Sequence, residues 1–407
     1  MRRVVITGMG VMSPVGNSPR EMLDGLYEGR SGIRTMPEWD FIKNLRTRLG
    51  GEVTGVDESR IPRKYRRTMG RLAIMSGCAM SDALADAGLS GEDVAGPRCG
   101  VSFGSSAGST IAQDAQLEQF WQSRDLMGVT ASPYLQIMPH TCAANLALMF
   151  STRGPVVASC TACTAGSQGV GYGFEQVAMG NADVMLCGGA EELHYMAAMV
   201  FDVMRATSSH YNTEPDRSPR PFDRDRDGLV VGEGAGALVL EEYERATHRG
   251  ATIHAEILAF ATNSDGSHIT TASPEGVAEC IRESLARARL NASDIDYVNA
   301  HATATPIGDR AEGRATHSVF GADVPVSSVK GHMGHTLGAA GAIESIATIA
   351  MMNGGAAAQT RNLEAPDPEI APLDHVMGEP RELRMDTAMC NNFAFGGINT
   401  SLIFRKV

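Results

Sequence analysis

Nowhere does this chain hold the roughly 18 consecutive apolar residues that a membrane-spanning helix needs. The basic start Met1-Arg2-Arg3 is followed by an apolar run that breaks at Thr7-Gly8, too soon for a signal peptide. A buried first strand and a cytoplasmic location are the expectation. A basic excess is also missing: 35 Lys and Arg face 47 Asp and Glu, a net charge of −12, which argues against broad nucleic-acid binding. The pair Cys160-Thr161-Ala162-Cys163 has no second C-x-x-C and no His pair at finger spacing, so no zinc site is expected. Gly8-Met9-Gly10 lacks the third glycine of a dinucleotide loop, where Ser13 stands. Asp223–Gly228 opens like a calcium loop, but Gly234 occupies the place of the bidentate Glu. No low-complexity linker and no repeat between the halves is visible.

What remains is a 407-residue chain, 43% hydrophobic and 20% charged, long enough for two domains or one large two-lobed unit. Strand patterns at Arg3–Thr7, Gly100–Phe103, Val156–Ser159, Val184–Cys187 and Gly236–Leu240 alternate with helical ones at Thr68–Ala87 and Ala165–Met179. The second part repeats this style, with strands predicted at Ile253–Ala261, Tyr297–Ala300, Val326–Val329, Thr387–Asn391 and Asn399–Arg405. Helices are predicted there at Val277–Ala288 and Ala339–Met352. Alternation of this kind predicts a layered α/β fold. The Pro- and Asp-rich stretch Asp216–Gly228 reads as a long surface loop. Against the acidic background, Arg60, Arg63, Lys64, Arg66, Arg67 and Arg71 gather in one segment. They read either as a solvated helical face or as a docking patch for an acidic partner.

Three segments carry candidate chemistry. At Ser159–Ser167 an apolar strand gives way to a small-residue helix at Cys163. A thiol at a helix N-terminus feels the positive end of the dipole, so its pKa is expected to fall. Asn299-Ala300-His301 ends a second strand, and Lys330-Gly331-His332-Met333-Gly334-His335 ends a third. Each residue alone reads equally as a buried structural side chain. Together, one Cys and two His at strand ends permit thioester exchange, peptide cleavage or metal binding.

The signatures Val5–Gly10, Thr161-Ala162-Cys163, Arg226-Asp227-Gly228, Asn299-Ala300-His301, Gly334–Gly341 and Asn392–Gly397 stand in one order along the chain. In this the sequence resembles, from end to end, the elongating 3-oxoacyl-[acyl carrier protein] synthases. The resemblance implies a thiolase-like five-layered αβαβα fold of two similar halves, 1–250 and 251–407, usually dimeric. It implies that Cys163 is the acylated nucleophile and that His301 and His335 bind malonyl-carrier and promote its decarboxylation. Lys330 and Glu344 resemble the charged pair supporting His335. Phe395 resembles the gate, and the N–H groups of Cys163 and Phe395 the oxyanion hole. Thr303 and Thr305 resemble pantetheine contacts, with Phe393 and Phe201 also on the substrate side. Arg63, Lys64, Arg66 and Arg67 then read as the site for acyl carrier protein. No metal or organic cofactor is implied. Family spacing favours His335 over His332, which reads as a supporting or surface residue.

The chain departs from the family at Ala302, Ala304, Ala394 and Ile398. With Met36–Trp39 and Asn391–Asn399, these changes resemble a subgroup from bacterial aryl-polyene clusters. Ala107 occupies the turn position where family members carry a bulky aliphatic side chain that enters the acyl tunnel across the dimer interface; an open tunnel is expected unless Phe201 or Met204 fills it. A degradative thiolase is the rival enzyme, but Cys390 lacks its Cys-x-Gly context. A chain-length factor, with a partner as heterodimer, is the rival without chemistry, and Cys163 with two His argues against it.

Overall fold

The computed structural model describes residues 1–127 and 129–407. Eleven strands make one sheet: β1 Val4–Met12, β2 Cys99–Gly104, β3 Val156–Val157, β4 Val184–Glu191, β5 Gly234–Glu242, β6 Ala255–Ser264, β7 Tyr297–Asn299, β8 Pro325–Ser327, β9 Asp374–His375, β10 Thr387–Ala394 and β11 Ile398–Arg405. All nine residues of β1 are buried. A strand hidden on both faces belongs at the centre of a covered sheet, and β1 lies at the seam, antiparallel to β5 on one side and β6 on the other.

From the seam outward, the first half runs β1-β5-β4-β2-β3 and the second β6-β11-β10-β7-β8, with β9 added at the edge. Counted within each half, both orders are first, fifth, fourth, second, third. Strand senses agree as well. In both, the second strand is parallel to the third and fourth, while the fifth is antiparallel to the fourth and first. The halves are thus one topology used twice.

Helices complete the layers. On the outer face of the first half α1 (Arg71–Asp86) packs on β1 and β5, and α2 (Thr141–Met149) on α1 and β2. Between the halves lie α3 (Ala165–Ala178) and α7 (Ala340–Gly354), which touch one another. The helix α4 (Tyr195–Val203) follows β4. On the far face α5 (Pro274–Ala288) covers β6 and β11, with α6 (Pro306–Phe320) beside it. This is the expected αβαβα stack. The central helices lack a polar face: residues 340–352 of α7 are all buried. Their small residues set the spacing. A Cβ on Gly341 would stand 2.4 Å from the Ser167 nitrogen, and one on Gly166 2.8 Å from the Gly338 oxygen.

Two expectations hold only in part here. The strand predicted at Val156–Ser159 closes after Val157. The segment Asp216–Gly228 is a surface loop only in part: Asp216, Arg217, Arg224 and Asp225 are exposed, but Arg220, Phe222, Asp223 and Arg226 are buried. Two of its arginines are paired inward, Arg220 with Asp223 at 3.2 Å and Arg226 with Asp367 at 2.8 Å, so part of its polarity marks an internal network rather than solvent contact. Among the described residues, no helix is long and apolar enough to cross a membrane.

Candidate active site

The doubled topology places chemistry at matching points. Cys163 lies between the third strand of the first half and α3, and His335 lies between the third strand of the second half and α7. Because α3 and α7 pack side by side, their N-terminal loops converge. The Cys163 turn is a tight 3₁₀ element, Ala162–Thr164, with Ala162 at φ 50°, a left-handed conformation that costs an alanine free energy and lifts the next side chain out of the run of the chain. Cys163 is buried, whereas Cys160 is exposed with its Sγ 3.4 Å from the Ser106 oxygen, so the two thiols of the C-x-x-C pair face apart.

His335 Nε2 lies 2.9 Å from Cys163 Sγ, and the rings of His301 and His335 meet edge to face with centroids 5.1 Å apart. Burial holds both imidazoles well below their usual range, and the nearby Lys330 charge pushes the same way. Burial also pushes the Cys163 thiol up to about 12, outweighing the pull of Lys330 and of its own backbone N–H. The expected fall of the thiol pKa is therefore reversed: burial favours the neutral thiol, which stands beside an imidazole that burial also keeps neutral.

The His301 tautomer follows from its neighbours. Asn392 Oδ1 accepts from Ser167 Oγ at 3.1 Å, and Asn392 Nδ2 donates to Glu344 Oε2 at 2.7 Å. These bonds orient the amide so that Nδ2 also faces His301 Nδ1, at 3.4 Å. With an N–H donor before it, Nδ1 keeps its lone pair and the proton sits on Nε2. Cys163, His301 and His335 offer ligand atoms within 4.8 Å of one another. A metal needs lone pairs there, and this tautomer puts an N–H on His301 instead. The donor set fits hydrogen bonding to a developing anion better than coordination.

Lys330 Nζ lies 2.5 Å from Glu344 Oε1, both side chains buried. The bonds from this pair lead through Asn392 to His301; among the described residues His335 feels Lys330 by charge alone, and its Nδ1 has no hydrogen-bond partner. The His301 backbone N–H donates to Glu312 Oε1 at 2.8 Å, and burial pushes the Glu312 carboxyl up to about 8. His332 is neither at the surface nor in the site. It is fully buried, its ring nitrogens 3.2 Å from the Arg30 oxygen and 3.0 Å from the Gln359 oxygen, where it pins two loops. Sequence reading missed Asn392 and Glu312. The first stands inside the Asn392–Gly397 signature, near the end of an apolar strand, without a role being read from it, and nothing local marks the second.

A cavity of about 390 Å³ opens from Cys163 and the two His. Thr303, Thr305, Phe393, Phe395 and Phe201 line it, as does Met204. Phe395 is exposed in part and stacks on Phe201, centroids 5.7 Å apart. Ala107 does not line this cavity; it is half-buried in the turn after β2, where its carbonyl accepts from Ser105 Oγ. The basic segment divides. Arg60 pairs with Asp82 and Arg71 with Glu233, while Arg63, Lys64, Arg66 and Arg67 have no carboxylate within ion-pair distance among the described residues. Arg63, Arg66 and Arg67 line a separate hollow of about 500 Å³.

A doubled αβαβα stack with a buried cysteine facing imidazoles across its central helices defines the thiolase-like fold, here in a form armed for thioester chemistry. Residues 1–246 match the family model for the beta-ketoacyl synthase N-terminal domain, and residues 254–364 that for the C-terminal domain. The chain belongs to the beta-ketoacyl synthase family. It is 37% identical over its full length to 3-oxoacyl-[acyl-carrier-protein] synthase 1 of Haemophilus influenzae, of which 99% is covered. It is 39% identical to 3-oxoacyl-[acyl-carrier-protein] synthase 2 of Vibrio cholerae, again over the full chain and 99% of the relative. Among solved structures, a beta-ketoacyl synthase from Burkholderia phymatum superposes with a TM-score of 0.97 at 48% identity, each chain covered completely. The ishigamide ketosynthase/chain length factor superposes at 0.93 with 33% identity, over all of this chain and 99% of that one.

Proposed function

We propose that this chain is a 3-oxoacyl-acyl-carrier-protein synthase that joins a malonyl unit to an acyl group held on Cys163. The observation that carries the reading is the 2.9 Å contact of Cys163 Sγ with His335 Nε2, beside a second neutral imidazole at the end of one cavity. In the first half-reaction Cys163 attacks the acyl thioester, the carrier thiol leaves, and the thiol proton passes by way of His335 to that leaving sulfur. Acylation removes the S–H that faced His335. The malonyl thioester oxygen then accepts an N–H bond from His301 and, once the His335 ring proton has moved from Nδ1 to Nε2, a second from His335. CO₂ departs, and the electron pair of the broken carbon–carbon bond forms an enolate held by those bonds. Its carbon attacks the acyl-Cys carbonyl, whose oxyanion lies against the N–H groups of Cys163 and Phe395. Collapse expels the Cys163 thiolate, which takes a proton from water, and frees the 3-oxoacyl-carrier.

Thr303 and Thr305 hold the pantetheine arm, Phe395 gates the acyl pocket against Phe201 and Phe393, and the unpaired Arg63, Lys64, Arg66 and Arg67 dock the acidic acyl carrier protein. A homodimer is part of the proposal, with Ala107 entering the acyl tunnel across its interface. So is a cytoplasmic location, to which eight free cysteines are suited. Fatty acid elongation is the first reading of the pathway. Polyene or polyketide extension is the second, favoured by the small Ala107 and by likeness to a tetracenomycin polyketide synthase ketoacyl synthase alpha subunit of Streptomyces glaucescens, 36% identical. Intact-mass analysis of carrier-bound products, after incubation with malonyl-carrier and a primer series, tests both. Loss of CO₂ with growth by two carbons is expected; growth without CO₂ release, or none with any primer, refutes the condensing reading.

A further inference from the structure

The tripeptide Arg226-Asp227-Gly228 bonds neither to Cys163 nor to the His301 and His335 rings, yet it is tied to two other parts of the chain. Arg226 reaches the wall of the cavity mouth that carries Thr303 and Thr305, Gly228 lies against the wall that carries Ala206, and Asp227 ties Ser209 and His210, outside the lining. Arg226, with its side chain almost wholly buried, donates to the Pro306 oxygen at 3.0 Å and the Thr305 oxygen at 3.4 Å. Its guanidinium also faces Asp309 at 3.5 Å and Asp367 at 2.8 Å. Asp309 in turn accepts from the backbone of Thr303 at 3.0 Å and Ala304 at 3.1 Å. The turn so gripped needs the grip: Ala304 sits at φ 69°, a conformation an alanine holds only when its surroundings impose it.

Asp227 faces the other way. Its Oδ2 accepts from the backbone of Ser209 at 2.7 Å and His210 at 2.8 Å. Gly228, at φ 138°, lies so close to the chain that a Cβ would stand 2.5 Å from the Ala206 oxygen and 2.4 Å from the Thr207 carbonyl carbon. Ala206 and Leu229 line one wall of the mouth; Thr303 and Thr305 line the other.

We propose that Arg226-Asp227-Gly228 is a strut that fixes the width of the cavity mouth, and that Arg226 is a positioning residue for the hydroxyls of Thr303 and Thr305. This rests on the reading of those threonines as pantetheine contacts. A flexible thioester arm gains from two hydroxyls only if they are held at fixed spacing. The strut therefore acts on recognition of the arm and not on bond making at Cys163.

The test is loading of Cys163, followed by intact mass, from an acyl-pantetheine thioester and from an S-phenyl thioester with no arm. Arg226→Lys keeps the charge facing Asp309 and Asp367 but loses the planar fork. It should raise KM for acyl-pantetheine about tenfold, with kcat and S-phenyl loading changed less than about twofold. Gly228→Ala, which moves the opposite wall, should give the same split if Arg226→Lys folds poorly. An equal loss with both thioesters, or no change with either, overturns the strut. Thr303→Val and Thr305→Val separate the two readings. If they leave KM for acyl-pantetheine unchanged, the pantetheine reading falls and the strut with it. If they raise it while Arg226→Lys and Gly228→Ala do not, the strut alone falls.

Discussion

The two halves of the sheet share strand order and strand sense, but they divide the labour. At the loop before its central helix the first half carries Cys163, the proposed nucleophile; at the same loop the second half carries His335, and the turn after its second strand adds His301. A duplicated topology thus brings two unlike groups face to face because their helices pack in one layer. The surroundings differ accordingly. Lys330, Glu344, Asn392 and Glu312, the charged and amide groups that set the imidazoles, all belong to the second half. The first half supplies chiefly a helix N-terminus and a strained turn.

If the halves divide the work this way, they can be disabled separately. Cys163→Ala should abolish acyl loading and lower condensation by more than about 10⁴-fold, while malonyl-carrier still loses CO₂. Acyl label that survives, or moves to Cys160, would break the division. Next in size, His335→Ala or His301→Ala should cut CO₂ release by about 10²–10⁴-fold and leave some acyl transfer to Cys163. His332→Ala should instead lower the thermal midpoint, since it removes a buried ring and the one N–H that the neutral imidazole donates to a buried carbonyl, and leave CO₂ release per folded molecule intact. The reverse pattern between His332 and His335 would show that the wrong imidazole has been assigned.

Protonation sharpens the contrast. Burial lowers the pKa of both imidazoles, so the neutral donors persist as pH falls through 6.5. Decarboxylation by the Cys163→Ala protein should show no inflection at 6.5, and a loss centred there would refute neutral, buried donors. Glu312 has the opposite sign. Its carboxyl is raised from 4.5 to about 8, so the native state binds the extra proton between those values and loses stability as pH rises through them. Glu312→Gln should remove that loss, and its thermal midpoint should gain on the native protein steadily from pH 5 to 8. A constant difference would mean that Glu312 does not titrate there.

The smaller effects lie outside the catalytic pair. Reversing Arg63 and Arg67 to Glu should raise KM for carrier-bound substrates about tenfold, an effect that fades with salt, and spare small thioesters. Equal loss on both would indicate damaged folding. Ala107→Ile adds about three buried carbons, each worth about 0.8 kcal/mol of contact, and should shorten products. Unchanged product length would mean that Phe201 or Met204 already closes the tunnel.

Much of this was legible in order along the chain. Apolar runs bounded by glycine and small residues marked most of the strands, because a strand buried on both faces tolerates little else. Cys163, His301 and His335 stood out because each follows such a run and precedes small turn residues. Local pattern failed where long-range burial decides. Asp216–Gly228 looks like a solvent loop by composition, yet its Arg226 is paired across the fold with Asp309 and Asp367. The Cys163 thiol has a helix start beside it, as expected, but desolvation from both halves reverses the shift. His332 and His335 are alike in local chemistry; family spacing favours His335, and their buried partners show that only His335 faces Cys163.

The sequence by itself determined which side chains could react and the family motifs that carry them. It also determined the alternation of strand and helix, since these depend on residue type and on neighbours a few positions away. The tertiary structure alone decided that the halves share one topology and that Cys163 meets His335 across the two central helices. It alone decided that Asn392 sets the His301 tautomer and that the 226–228 tripeptide braces the mouth. Those arrangements depend on contacts between residues 79 to 225 positions apart, which no local period in the chain encodes.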